Sequence, residues 1–426
     1  MTVEVEKVLS DIIRIQSVNP PGGETAVAVY LKNLFDEHKI PSEIIEPLPG
    51  RGSFVATFGS CGKSMLFLSH ADVVPVGNGW NFDSFSGEIR DGFVHGRGAI
   101  DCKGLVAAEA CAFISLVESG KLKGKLIFAA MADEEAGGVN GAGYITEKYP
   151  EKVKADFAIN EGAEPITING KEYQNLSIGE KAPSWLKIRT RGIAGHGSRP
   201  VLESNAIVKM ARVISALANY KPAVILTPET KRLIQTVAEI YGTNIGLDAK
   251  KLDSNLKQLP DTSLVVYLMA ITRMTVSPNI IKGGIKTNIV PDLCEAEVDI
   301  RVLPGQDWSY VLKEIRPLVG DAEIEPLQVD TASFSEVDNK YYELIESTLK
   351  ELTGNNLILP SVTTGSTDSK YMRKLGIPSY GTGVITLNPD QAMKNSVHGV
   401  NEKIDVASLQ LKTKFLQRVA EKYLCG

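Results

Sequence analysis

The chain has 426 residues, of which 43% are hydrophobic and 23% are charged, and its formal net charge is −5. A chain of this length can form two domains, one of them with a substantial core. The composition is that of an ordinary globular protein. We expect no nucleic-acid partner, because phosphate binding needs clustered positive charge and no basic block is present. No apolar run approaches the roughly 18 residues of a spanning helix, so no membrane partner is expected.

The cysteines and the N-terminal residues indicate a reducing compartment. The five cysteines have no paired spacing and are odd in number, which favours free thiols over a disulfide framework. Met1–Lys7 contains neither a basic segment nor a long apolar run, so a signal peptide is not predicted. We therefore expect a cytoplasmic protein.

The first 160 residues alternate between helical and extended patterns. Apolar residues at helical spacing predict helices, and short apolar runs predict buried strands. The predicted helices are residues 5–13, 27–35 and 103–118, and the predicted strands are residues 53–58, 65–69, 125–130 and 155–160. Strands that alternate with helices indicate an α/β fold with a mostly parallel sheet.

The pattern changes near residue 178. Trp185–Thr190 and residues 296–302 alternate apolar with polar residues, as half-exposed strands do, and a helix is predicted around residues 207–214. We interpret this part as a smaller α+β domain inserted into the first. The predicted boundaries are 1–182 and 303–426 for the larger domain and 183–302 for the insertion, and residues 218–260 are left unassigned.

Three carboxylates follow the predicted strand at 125–130. Asp133, Glu134 and Glu135 come in succession, before the glycine pair Gly137–Gly138. Unpaired carboxylates at the end of a buried strand are costly to desolvate, and a divalent cation would supply the missing charge. Ligands of open α/β sheets also bind at the carboxyl ends of strands. The stretch therefore indicates a metal or acid–base site, with a solvated acidic turn as the alternative.

Other metal-ligand residue types lie at comparable positions. A single histidine is more often packed or solvated than a ligand, so the signal comes from the set. Two imidazoles and three carboxylates form a mixed nitrogen and oxygen set that suits zinc, cobalt or manganese. The candidate ligands are His70, Asp101, Glu135, Glu161 and His398.

Eight motifs follow one another in the order and spacing of a known family. They are His70-Ala71-Asp72, Gly96–Gly104, Asp133-Glu134-Glu135, Asn160-Glu161-Gly162, Gly195–Pro200, Val298–Gly305, Thr364–Asp368 and the His398 loop, Asn395–Glu402. The chain resembles the M20 metallopeptidases, which include acetylornithine deacetylase, succinyl-diaminopimelate desuccinylase, aminoacylase and glutamate carboxypeptidase. The resemblance implies a zinc-peptidase-like catalytic domain, an inserted lid or dimerisation domain, and a homodimer.

The resemblance also implies a centre of two divalent metal ions, with Zn²⁺ as the expected metal and Co²⁺ or Mn²⁺ as alternatives. Asp101 would bridge the ions, one carboxylate oxygen to each. His70 and Glu161 would complete one site, and Glu135 and His398 the other. The adjacent Cys102 is interpreted as a small buried residue, because harder donors already fill the set.

Three further residues receive catalytic roles from the resemblance. Asp72 would accept the second ring N–H of His70, or, alternatively, cap a turn. Glu134 would be the general base for a metal-bridging water molecule, or a solvated neighbour of a ligand. His196 would stabilise the tetrahedral oxyanion, or be an exposed loop histidine.

The resemblance assigns substrate binding to the inserted domain and a late loop. Arg301, Asn288 and the residues Gly365, Ser366 and Thr367 would clamp a substrate carboxylate, which a guanidinium binds through two parallel hydrogen bonds. A solvated strand arginine is the alternative for Arg301.

In the family, glutamate at the position of Glu161 accompanies deacylases and glutamate carboxypeptidases. We therefore predict hydrolysis of the amide bond of N-acyl amino acids, with a carboxypeptidase or dipeptidase activity as the alternative. A binding protein that kept the fold but lost the reaction is disfavoured, because the ligand set and Glu134 are intact.

Overall fold

The computed structural model describes residues 3–60, 62–162, 165–386, 393 and 395–425. The chain divides into two compact units. The larger unit comprises Met1–Ile178, Phe334–Ser361 and Thr367–Gly426, and the smaller comprises Gly179–Ser333 and Val362–Ser366. Residues 303–333, which the sequence analysis assigned to the larger domain, lie in the smaller unit because a helix and a strand of this segment complete its core and sheet.

The helices are numbered in chain order. They are α1 (Val5–Arg14), α2 (Glu24–Glu37), α3 (Lys103–Glu118), α4 (Tyr144–Lys148), α5 (Ala206–Asn219), α6 (Pro228–Ile240), α7 (Leu252–Leu256), α8 (Thr262–Ala270), α9 (Trp308–Val319), α10 (Lys340–Thr353), α11 (Ser369–Lys374) and α12 (Val406–Leu424).

The strands are numbered in the same way. They are β1 (Ser42–Ile45), β2 (Ser53–Phe58), β3 (Ser64–His70), β4 (Glu88–Arg90), β5 (Phe93–His95), β6 (Lys125–Met131), β7 (Phe157–Asn160), β8 (Ile166–Ile168), β9 (Lys171–Tyr173), β10 (Asn175–Glu180), β11 (Ala182–Arg191), β12 (Gly195–His196), β13 (Thr275–Gly283), β14 (Ile289–Val290), β15 (Leu293–Val302), β16 (Glu323–Val329), β17 (Ser333–Phe334), β18 (Leu359–Thr363), β19 (Ser379–Gly381) and β20 (Lys403–Asp405).

The largest sheet has the strand order β1-β2-β6-β3-β7-β19-β10-β17, with β18 beside β10. Its four central strands, β6, β3, β7 and β19, run parallel, and β1 and β2 are antiparallel additions at one edge. The predicted α/β fold with a parallel centre is therefore confirmed. The carboxyl ends of β6, β3 and β7 meet at one edge, which is where candidate ligands follow in the sequence.

The central strands are buried on both faces by two separate clusters. One face packs against α1, α2, α3, α10 and α12, and the other packs against α4 and α11. Because successive side chains point to opposite faces, β6 divides its residues between the two clusters. Leu126, Phe128 and Ala130 lie in the first cluster, and Ile127, Ala129 and Met131 lie in the second. Burial on both faces explains why these strands read as unbroken apolar runs.

The smaller unit is built on the antiparallel sheet β13-β15-β11-β16. Helices α5 and α9 cover it, and β11 and β15 direct alternate apolar residues into the shared core. The stretch that the sequence analysis left unassigned forms α6 and α7, followed by α8. Helix α7 has only one turn and α8 is apolar along most of its length, so neither shows a clear amphipathic pattern.

Two sequence-based expectations concern thiols and membranes. Cys102, Cys111, Cys294 and Cys425 are free, and Cys61 lies outside the described residues. Within the described ranges, no helix combines the length and the apolar character needed to cross a bilayer.

Replacing Phe35 by alanine should destabilise the larger unit. Its ring lies 4.9 Å from that of Phe54, 5.4 Å from Phe113 and 5.8 Å from Phe128, measured between centroids, and it is fully buried. We expect the free energy of unfolding to fall by about 3–5 kcal/mol in urea denaturation, since a cavity replaces the ring. Phe334→Ala is the control, because that side chain is 60% exposed. An equal loss in both variants would contradict this packing.

Candidate metal centre

Three neighbouring parallel strands bring candidate residues to one edge of the sheet. His70 is the last residue of β3, Glu161 follows β7 directly, and Glu134 and Glu135 begin three residues after β6 ends. Because β6, β3 and β7 are adjacent and parallel, these side chains lie close together. The order of the strands therefore gathers several carboxylates and one imidazole at the carboxyl edge of the sheet.

The turn after β6 has an unusual backbone. Asp133 has a left-handed φ of 71°, and Gly137 and Gly138 have φ values of 103° and 75°. Aspartate tolerates this region better than most residues, and glycine adopts it freely. Gly138 is also crowded, because a Cβ there would lie 2.4 Å from Asp368 Oδ1. The glycine pair is thus required for the tight turn that carries the two glutamates.

The five candidate ligands come together around Asp101. Its Oδ1 lies 3.1 Å from His70 Nε2, and its Oδ2 lies 2.9 Å from His398 Nε2. His70 Nε2 is also 3.5 Å from Glu161 Oε1, and His398 Nε2 is 3.5 Å from Glu135 Oε1. Two groups of donors therefore share one carboxylate, with a different imidazole on each of its oxygens.

This donor set fits a divalent cation. Ligand atoms of His70, Asp101 and Glu135 all lie within 4.8 Å of one another, and so do those of His70, Cys102 and Glu161. The Glu135 Oε1 atom is buried and has no hydrogen-bond partner. An unsatisfied buried carboxylate oxygen is costly, and a bound cation would remove that cost. Imidazole and carboxylate donors suit Zn²⁺ and its neighbours in the first transition row.

The carboxylates of the site ionise very differently. Burial raises the pKa of Glu134 well above its usual value, against the opposing effect of the His70 charge. Burial likewise raises the pKa of Glu161 to about 7. Burial acts in the same direction on Asp101, but hydrogen bonds from both imidazoles outweigh it and hold its pKa far below the usual range. Asp101 is therefore the permanently ionised group between the rings.

The imidazoles respond to the same excess of negative charge. A hydrogen bond to Asp101, together with the nearby negative charge of Glu135, raises the pKa of His398 to about 10. Burial lowers the pKa of His70, but nearby negative charge, including that of Glu161, outweighs it and the net shift is upward. A metal ion must displace the protons from both rings to use them as ligands, so binding is expected to release protons.

Asp72 joins the end of β3 to the turn after β6. The closest acceptor for His70 Nδ1 is the main-chain oxygen of Asp72, at 3.0 Å, whereas the carboxylate Oδ1 is 3.4 Å away. The carboxylate accepts the main-chain N–H groups of Glu134 and Glu135, at 3.1 and 3.0 Å. The sequence predicted a contact between Asp72 and the ring of His70. In addition, Asp72 connects the end of β3 to the turn after β6.

A buried charge network that the sequence analysis missed supports this turn. Arg51 Nη1 lies 2.7 Å from Glu24 Oε1 and 3.3 Å from Asp133 Oδ1, and Arg51 Nη2 donates to Asn19 Oδ1. Asn19 in turn donates to Asp72 at 2.8 Å. No local pattern in the sequence around Asn19 or Arg51 indicates these partners.

Two other predicted residues lie together in the smaller unit. His196, on β12, pairs with Ile289 on β14, and the N–H of Gly197 donates to the main-chain oxygen of Asn288 at 2.8 Å. His196 Nδ1 accepts the N–H of Ser198 at 3.1 Å. In the neutral ring this places the proton on Nε2. His196 is exposed to solvent, so its Nε2–H group is free to donate a hydrogen bond.

The remaining predicted substrate residues differ in their surroundings. Arg301 donates to both carboxylate oxygens of Asp299, at 2.8 and 3.2 Å, and its guanidinium lies over the Trp185 ring. Gly365 and Ser366 belong to the smaller unit, and the hydroxyl of Ser366 is buried with no hydrogen-bond partner. Thr367 belongs to the larger unit, where its hydroxyl accepts from Asn160 Nδ2 at 3.3 Å. Their roles in substrate binding stay predictions.

A parallel sheet whose strand ends gather imidazoles and carboxylates offers the donors that a metal-dependent enzyme needs. The chain belongs to peptidase family M20/M25/M40, whose family model matches residues 66–422. It is accordingly a hydrolase of C–N bonds, as the resemblance implied.

Individual relatives are distant but cover most of the chain. The chain is 28% identical over 408 residues to the N-fatty-acyl-amino acid synthase/hydrolase PM20D1 of Bos taurus, covering 91% of this chain and 80% of the relative. It is 27% identical over 376 residues to a probable succinyl-diaminopimelate desuccinylase of Staphylococcus aureus strain MRSA252, covering 86% of each. Among solved structures, an M20 family metallo-carboxypeptidase, Sso-CP2 from Sulfolobus solfataricus, has the same fold, with a TM-score of 0.78, 23% identity and 99% coverage of both chains.

Replacing Arg51 by methionine should destabilise the protein strongly. The change leaves the buried carboxylates of Glu24 and Asp133 without their cation, and breaking a buried pair in this way costs about 3–5 kcal/mol. A second change, Glu24→Gln, should recover part of the loss, because it removes one uncompensated charge. Urea denaturation measures each step. Arg418→Met, which breaks an exposed pair with Glu351, should change little. Equal stability of the two single variants would contradict the network.

Proposed function

We propose that this protein hydrolyses the amide bond of N-acyl amino acids at a centre of two divalent metal ions. Zn²⁺ is the expected metal, and Co²⁺ and Mn²⁺ are the alternatives. One ion would be held at the His70 site and the other at the His398 site. The His70 site consists of His70, Glu161 and Asp101, and the His398 site consists of His398, Glu135 and Asp101.

The arrangement around Asp101 carries this proposal. Each oxygen of the carboxylate faces a different imidazole, at 3.1 and 2.9 Å, and a further carboxylate accompanies each ring. A single ion would leave one of the two imidazole–carboxylate groups without a cation. Two ions sharing Asp101 would use every donor and neutralise more of the buried negative charge.

The choice of substrate rests on two kinds of support. Both reported sequence relatives are named for N-acyl substrates, one a hydrolase of N-fatty-acyl amino acids and the other a desuccinylase. Glutamate at the position of Glu161 accompanies deacylases and glutamate carboxypeptidases in the family, and so favours a deacylase over a dipeptidase. The substrate would be an amino acid acylated on its nitrogen, with a free carboxylate that Arg301, Asn288 and residues 365–367 would bind.

The ions, when bound, would polarise the amide carbonyl and lower the pKa of a water molecule. Glu134 would take a proton from the attacking water and deliver it to the leaving nitrogen as the C–N bond breaks. Its Oε2 lies 3.9 Å from His70 Nε2, at the edge of the site, and its raised pKa suits a group that both accepts and returns a proton.

His196 would stabilise the oxyanion that forms on the carbonyl. Its acceptance of the Ser198 N–H through Nδ1 leaves Nε2–H as the donor that this role requires.

The homodimer and the cytoplasmic location remain predictions. Analytical ultracentrifugation would test whether the protein is a homodimer.

The substrate proposal is tested by amine release from a panel of N-acetyl, N-succinyl, N-fatty-acyl and N-benzyloxycarbonyl amino acids alongside plain dipeptides. The panel is measured with Zn²⁺, Co²⁺ or Mn²⁺ added to metal-stripped protein. We expect metal-dependent turnover of one or more acyl amino acids. Faster cleavage of dipeptides would replace the deacylase proposal by the peptidase alternative.

Glu134→Gln should abolish most of this turnover without removing the metal. The amide cannot accept the proton of water, and loss of a general base typically lowers kcat by about 10²–10⁴-fold. Metal content, measured by atomic absorption, should match that of the unmodified protein. Full activity in this variant would exclude Glu134 as the base.

His196→Ala should lower kcat and kcat/KM together, by about 10²–10³-fold, because an oxyanion donor acts only in the transition state. Steady-state kinetics on the best acyl amino acid of the panel measures both constants. A rise in KM with unchanged kcat would assign His196 to substrate binding instead.

A further inference from the structure

A buried pair of opposite charges joins the segment that carries Asp101 to the loop that carries His398. Arg97 Nη1 donates to Glu402 Oε2 at 2.7 Å, and both side chains are at most 1% exposed. Arg97 lies four residues before Asp101, and Glu402 lies four residues after His398. The pair therefore links two ligand-bearing segments that are about 300 residues apart in the sequence.

Glu402 also binds the main chain of the Asp101 segment directly. Its Oε1 accepts the N–H groups of Ile100 and Asp101, at 2.8 and 3.2 Å, and its Oε2 accepts that of Gly98 at 3.1 Å. The main-chain oxygen of Glu402 accepts from Gly96 at 2.9 Å. With the bond from the arginine, the carboxylate receives four hydrogen bonds, which join the His398 loop to the backbone of the Asp101 segment.

Arg97 completes the connection on the side of His398. Its Nη2 donates to the main-chain oxygen of Gly399 at 2.6 Å, next to His398, and its guanidinium packs over the Trp80 ring at 5.2 Å. The planar guanidinium presents its donors in a rigid fork. One side chain therefore fixes Glu402 and the His398 loop at the same time.

The link between Asp101 and His70 uses a different contact. The main-chain N–H of His70 donates to the Sγ of Cys102, directly after Asp101, at 3.3 Å. None of the hydrogen bonds of the charged pair reaches β3 or β7. The Asp101 segment is therefore tied to His70 through Cys102, whereas the charged pair ties the same segment to the His398 loop.

We propose that Arg97 and Glu402 are positioning residues for the His398 site. They set the separation between Asp101 and His398, and so determine how tightly the second ion is held, without affecting the His70 site. This inference rests on the proposed two-metal centre.

The test is the variant Glu402→Gln, measured by Zn²⁺ titration of metal-stripped protein against a chromophoric chelator. The amide offers one acceptor oxygen where the carboxylate offers two, so part of the four-donor set loses its partner. We expect one of the two dissociation constants to rise by about 10–100-fold, the range for residues that orient a metal ligand. The other constant should stay as it is in the unmodified protein.

The affected ion is identified by a double-mutant comparison. His398→Ala removes a ligand of the His398 site directly. If Glu402→Gln acts on the same ion, adding it to His398→Ala should leave the remaining dissociation constant unchanged. A further loss in the double variant would overturn the proposal.

Two more variants separate positioning from general destabilisation. Arg97→Lys keeps the buried charge but cannot bond Glu402 and Gly399 together, so it should reproduce the selective loss even if Glu402→Gln folds poorly. Asp156→Asn is the control. Asp156 accepts from Tyr423 and Ser64 before β7 begins, so the variant should lower the thermal unfolding temperature but keep both dissociation constants.

The possible outcomes distinguish this inference from the proposed function. Fewer than two Zn²⁺ ions bound by the unmodified protein would defeat the two-metal centre itself. Two ions in the unmodified protein, with equal weakening of both in Glu402→Gln and Arg97→Lys, would leave the pair a structural role only and overturn the inference.

Discussion

The carboxylate of Asp101 is the constraint on which the centre depends. It stays ionised in a buried position because an imidazole approaches each of its oxygens, at 3.1 and 2.9 Å. Burial raises the pKa of Glu161, and the negative charge of Asp101 raises it further. A compact group of buried carboxylates is stable only if protons or metal ions balance its negative charge. The same geometry therefore destabilises the empty site and favours the binding of cations.

Such a site needs support from buried groups around the candidate ligands. Asp72 connects the ends of β3 and β6, and the Arg51 network neutralises the carboxylates beneath the turn. Arg97 and Glu402 connect the Asp101 segment to the His398 loop. Each of these buried charges is paired and hydrogen-bonded, which is the condition for tolerating them in a protein interior. The apolar clusters on the two faces of the sheet make these positions rigid.

The smaller unit carries other residues for which roles were predicted. The exposed His196 lies on a short two-stranded ribbon, Asn288 directly precedes the second strand of that ribbon, and Arg301 lies on the four-stranded antiparallel sheet. Asp299 already holds the guanidinium of Arg301, so a substrate carboxylate would have to share or displace that partner.

The sequence by itself determined the local elements and the chemical type of the site. Helix α3 and strand β2 were predicted at their observed bounds, and β6 was predicted one residue too short, because apolar runs and helical periodicity are local signals. The candidate ligands were found because strand ends in a parallel sheet converge and because the motifs resemble those of one family. The tertiary structure alone decided the partners of Asn19, Arg51 and Glu402, and the placement of residues 303–333. These depend on contacts between segments far apart in the chain, for which no local pattern exists.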